Sequence, residues 1–68
     1  MKNLFNPAKT VQLNLDSVPK NGYDLTVEFQ KNALKQGWKE DEIAKVIFES
    51  MRGNSYSRML LTFKIHCC

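Results

Sequence analysis

The sequence predicts a mainly α fold, with one short N-terminal strand followed by a helical hairpin and a third, C-terminal helix in the order β-α-α-α. Three observations predict it. Residues 11–16 alternate apolar and polar, two runs with a helical repeat are separated by Gly37-Trp38, and Gly53-Asn54-Ser55 interrupts the pattern before a third run.

Residues 1–10 have no hydrophobic period and contain Pro7, so they read as a mobile arm. Val11, Leu13 and Leu15 then fall on one face of a short, half-buried strand. Pro19 and Asn21-Gly22 end it and lead into the first helix, about Tyr23 to Gln36, where Leu25, Phe29 and Ala33 recur every four residues. Asp24 and Glu28 near its start and Lys31 and Lys35 near its end have the charge order a helix macrodipole favours. Gly37 is the C′ residue able to take a left-handed conformation without a Cβ penalty.

Glu40-Asp41-Glu42 places three acids on the exposed N–H groups of a second helix, about 39–52, with Ile43, Val46, Ile47 and Met51 on its core face. Asn54 or Ser55 caps a third helix carrying Tyr56, Met59, Leu60, Phe63 and Cys67. Residues 61–67 also alternate and contain Thr, Phe and Ile, which leaves open a β-α-α-β fold in which they form a strand paired with residues 11–16. A terminal helix instead leaves the N-terminal strand to be completed by another copy.

Sixty-eight residues make one domain with a small core of roughly 3 to 5 kcal/mol, a size at which oligomerisation is a common supplement. Cys67 and Cys68 are adjacent and close no loop, and neither a signal-like run nor about 18 successive apolar residues occurs. The expectation is a cytoplasmic protein without a membrane span.

Phe29-Gln30-Lys31-Asn32-Ala33-Leu34-Lys35-Gln36-Gly37-Trp38, then Glu42-Ile43, then Ser50-Met51-Arg52-Gly53-Asn54-Ser55-Tyr56, resembles a group of short phage and prophage proteins of no established function. Thr10-Val11-Gln12-Leu13-Asn14-Leu15 occupies the position of a strand-like segment that precedes these motifs in that group. The similarity runs over roughly residues 10 to 66 and consists of hairpin punctuation and core positions, so it implies kinship and no reaction. This chain departs from the pattern at Lys39, where a capping Ser or Thr stands in the group. It departs again at Asn54-Ser55-Tyr56-Ser57-Arg58, where the group has Asp-Tyr-x-His, which puts any shared polar site in that loop in doubt. What the resemblance implies is a setting, that of accessory proteins that bind and block or redirect a host protein in the host cytoplasm.

Catalytic chemistry has little to stand on. The sole histidine, His66, lies in the terminal run His66-Cys67-Cys68, and three consecutive residues wrap one metal ion poorly. Glu40, Asp41 and Glu42 point in different directions on a helix and serve its start, and Gly22, Gly37 and Gly53 are isolated at element boundaries. No cofactor or metal is expected. Trp38 reads either as a plug against Phe29 and Ile43 or as an exposed anchor, the plug being preferred.

Each helix carries a second apolar stripe: Tyr23, Val27 and Leu34 on the first, Ala44 and Phe48 on the second, Leu61 and Ile65 on the third. Such surface marks an interaction site unless the N-terminal segment covers it. Phe48, Leu61, Ile65, Val27 and Leu34 are therefore the candidate interface of a non-enzymatic binding module that acts on a host protein and self-associates as a homodimer. The alternative is a nucleic-acid or phosphorylated-ligand binder using Lys31, Lys35, Arg52 and Arg58, although the net charge of +3 is modest and its cations are dispersed.

Overall fold

Asn21 accepts a hydrogen bond from the Asp24 N–H (2.9 Å) and so opens α1, which runs Gly22–Lys35 in the computed structural model, where residues 2–67 are described. Its buried residues are Leu25, Phe29 and Ala33, the three the four-residue spacing selects. The helix ends in a complete Schellman motif. Gly37, at φ 90°, donates to the Leu34 carbonyl (3.2 Å), and Trp38 donates to the Ala33 carbonyl (3.0 Å).

That turn delivers the chain into α2, Glu40–Arg52. Lys39 stands at the N-cap, and its ammonium cannot accept from the helix. The cap is made from the other side, by the Glu42 carboxylate accepting the Lys39 backbone N–H at 2.9 Å. Ile43 and Val46 are buried as their spacing predicts, but Met51 is exposed and Ser50 is buried in its place. Ser50 points its hydroxyl back to the Ile47 carbonyl (2.6 Å), which satisfies it without a partner outside the helix.

Asn54 takes the left-handed conformation after α2 (φ 54°), and Ser55 accepts from the Arg58 N–H to cap α3, Tyr56–Ile65. Gly53 is required there by close approach. A Cβ on it would lie 2.6 Å from Arg58 Cβ and against Cγ. Phe63 and Thr62 of α3 are fully buried, with Thr62 Oγ1 donating to the Arg58 carbonyl. The core is Phe29 against Phe63 (ring centroids 5.0 Å apart), with Val11, Val18, Leu25, Trp38, Ile43 and Val46 around them.

The N-terminal strand does not form. Leu13 and Leu15 do turn inward with the buried Val11, as the alternation requires, but Val11 makes only a single parallel bridge, to Cys67. Asn14 diverts the backbone: its side chain accepts the Asp16 N–H (3.0 Å) and starts a 3-10 turn at Leu15–Ser17. Gln36 substitutes for a strand partner, since its amide both accepts from the Gln12 N–H (2.8 Å) and donates to the Gln12 carbonyl (3.1 Å). Residues 61–65 are helical, so the β-α-α-β alternative does not hold either. It keeps only the pairing of the two chain ends at Val11 and Cys67. No helix among the described residues is long and apolar enough to cross a membrane.

Candidate functional site

At about 100° per residue, Tyr23, Val27 and Leu34 project from one stripe of α1, turned roughly 130° from the Phe29 side. The same reasoning puts Ala44, Phe48 and Met51 on one stripe of α2, beside Ile47. The two helices run antiparallel. Leu34 shares a hollow of about 300 Å³ with Ala44 and Ile47, while at the other end Gly22 shares one of about 440 Å³ with Met51 and Tyr56. The two stripes therefore form one outward face of the hairpin, on which Tyr23 is 78% and Phe48 70% exposed. Val27, Leu34 and Met51 are exposed beside them.

Of the five apolar residues selected from sequence, Val27, Leu34 and Phe48 come together on this face, and Leu61 and Ile65 do not. The latter pair lies on the flank of α3 opposite Phe63, where Leu61 is exposed and Ile65 half-buried. Between the two patches stands a charged seam: Glu49 of α2 pairs with Arg52 at 3.1 Å and with Arg58 of α3 at 3.6 Å. Met51 is the face residue the sequence misassigned. Its periodicity matched the core, and only the burial of Ser50 turns it outward.

The four candidate anion-binding cations are not assembled into a site. Arg52 and Arg58 both engage Glu49. Lys31 and Lys35 lie toward the hairpin-turn end of α1, whereas Arg52 closes α2 at the far end, roughly 20 Å away by helix rise. Among the described residues, Lys31 and Lys35 form no salt bridge.

The segment read as a mobile arm is folded over the hairpin turn. Asn3 organises it, accepting from the Phe5 and Lys9 N–H groups and donating to the Lys9 and Ile65 carbonyls. Phe5 meets Trp38 edge to face at 5.4 Å, and Lys9 Nζ lies 5.2 Å over the Trp38 ring while bridging to both Glu42 oxygens at 2.7 Å. Trp38, 5% exposed, is thus a plug held from both sides rather than an anchor. The segment covers Trp38 and not the α1–α2 face.

The Lys9 ammonium, and after it the Lys39 backbone N–H, hold the Glu42 carboxyl below the ordinary carboxylate range. A lowered native value stabilises the fold at neutral pH and ceases to do so as pH falls through that range. Thermal melts from about pH 7 to pH 3 are expected to show a steeper acid-side loss of Tm for the wild type than for Glu42→Gln. Equal slopes would remove Glu42 from the account.

His66 is fully buried, which its terminal position did not suggest. Nε2 accepts the Leu4 N–H at 3.0 Å and Nδ1 lies 2.8 Å from the Thr62 carbonyl, so the proton sits on Nδ1. With both nitrogens engaged, the ring has no free lone pair for a metal or for proton abstraction. Of the terminal run, Cys67 is half-buried and Cys68 lies outside the described residues. Leu4 and Phe5, an apolar pair in an otherwise polar stretch, were the sequence signal for this junction.

Comparison of the chain with protein-family models, with curated proteins and with solved structures finds no match.

Proposed function

We propose that this chain is a non-enzymatic protein-binding module whose docking surface is the outward α1–α2 face. The observation that carries the reading is the exposure of two large aromatic residues, Phe48 and Tyr23, on one face with Val27, Leu34 and Met51. Aromatic and Met side chains are the types enriched at protein interfaces. The commitment of both nitrogens of the sole imidazole to structural bonds argues against acid–base or nucleophilic catalysis. The capture of Arg52 and Arg58 by Glu49 argues against the anion-binding alternative. The resemblance to phage and prophage proteins supplies the setting, an accessory protein that occupies the surface of a host protein.

Phe48→Asp tests the reading, since an exposed side chain changes stability little while an interface anchor costs more than ~2 kcal/mol in binding. Capture from host lysate is expected to retain a protein on the wild type and not on the variant, with or without nuclease. Retention of the same protein by both, or its loss on nuclease treatment, overturns the proposal.

A further inference from the structure

We infer that a second copy of this chain occupies the α1–α2 face, packed by a two-fold axis that sets α1 against α1 and α2 against α2 in antiparallel. The inference rests on the reading of that face as the docking surface, which the second copy covers in the free protein and yields when a host protein binds. The ground for choosing a second copy is charge self-complementarity along the border of the apolar stripe.

On α1 each stripe residue is followed by a charged one, Tyr23-Asp24, Val27-Glu28 and Leu34-Lys35, and Lys31 follows Gln30 between them. The helical repeat places Asp24, Glu28, Lys31 and Lys35 on one flank, acids in the first half and bases in the second. A two-fold axis perpendicular to the helix reverses its direction while keeping that flank on the same side. Asp24 then faces Lys35 of the second copy, and Glu28 faces Lys31 of the second copy, each pair occurring twice. A parallel arrangement would set like charges together.

The second helix fits the same axis. Because the hairpin is antiparallel and Gln30 shares a hollow with Ile43, Ala44 and Ile47, an axis passing between Phe29 and Gln30 meets α2 within about one turn of Phe48, which places the two Phe48 rings near it. Helices of 14 and 13 residues give a face of about 20 by 20 Å, smaller than the roughly 800 Å² per partner of a standard interface. A dimer dissociating in the micromolar range is expected from that size.

Sedimentation of the full chain from about 5 to about 500 µM tests the dimer, and paired charge reversals test its geometry. The wild type is expected to pass from its 7.9 kDa monomer mass to twice that value with rising concentration. Glu28→Lys and Lys31→Glu are each expected to weaken association at least about tenfold, because each sets like charges together twice. An equimolar mixture of the two variants is expected to restore it, since both pairs are then opposite in sign. Far-UV circular dichroism matching the wild type shows that each variant is folded. A wild type monomeric throughout the range, a dimer unaffected by either reversal, or a mixture that does not recover overturns the inference. If the wild type stays monomeric while the Phe48-dependent capture persists, the second copy is excluded and the docking face stands; if that capture fails as well, the face falls with it.

Discussion

Trp38→Ala is expected to leave the protein largely unfolded at 25 °C. The ring packs edge to face on Phe5 at 5.4 Å and on Phe29 at 5.6 Å, and Phe29 in turn rests on Phe63. Removing a buried Trp or Phe side chain costs about 3 to 5 kcal/mol through lost transfer energy and the cavity left behind. A single core in a chain this short supplies only about that much. The backbone of Trp38 is also the last link of the Schellman motif, so the ring fixes the angle at which α2 leaves α1. Urea titration of helical ellipticity checks the expectation, with Trp38→Phe as the variant that keeps an aromatic edge in the pocket and loses less. A Trp38→Ala urea midpoint close to that of the wild type would show that Phe5 and Lys9 close over the gap.

How the fold was legible follows from which interactions are local. The caps and turns depend on residues within one helical turn, so Gly37, the acids at Glu40-Asp41-Glu42 and a cap at Asn54 or Ser55, which proves to be Ser55, could be read directly. The four-residue spacing of Leu25, Phe29 and Ala33 likewise names the buried face of α1 without knowledge of what covers it. Residues 11–16 failed for a reason equally local but easily overlooked: alternation specifies which side chains face inward, whereas Asn14 decides what the backbone does. The candidate site divides the same way. Phe48, Val27 and Leu34 were visible as surplus apolar residues on an already satisfied helix. Their separation from Leu61 and Ile65 by the Glu49 pairs depends on how α3 crosses α2, which no residue spacing encodes. Met51 was lost because Ser50, a small residue whose hydroxyl bonds to its own helix, can be buried where a larger side chain was expected.

The placement of His66 is the junction least visible from sequence, because its two partners, Leu4 and Thr62, are 62 and 4 residues away. His66→Phe is expected to destabilise the fold by about 1 to 3 kcal/mol even though the volume is refilled, because the Leu4 N–H and the Thr62 carbonyl each lose a side-chain partner. His66→Ala adds a cavity and is expected to cost about 2 to 4 kcal/mol in all. The two variants separate packing from hydrogen bonding. Nitrogen chemical shifts of the wild-type ring should report a proton on Nδ1 and a bare Nε2, and amide exchange at Leu4 should accelerate by at least about tenfold in His66→Phe. Since Leu4 adjoins Phe5, the same loss loosens the Phe5 edge on Trp38 and reaches the hairpin turn from the far end of the chain. Among the described residues, His66 bonds to or meets edge to face Leu4, Phe5, Val11 and Thr62, none of them on the α1–α2 face, so a folded fraction of His66→Phe should associate as the wild type does. Loss of association at unchanged fold content would instead tie the N-terminal segment to the docking surface.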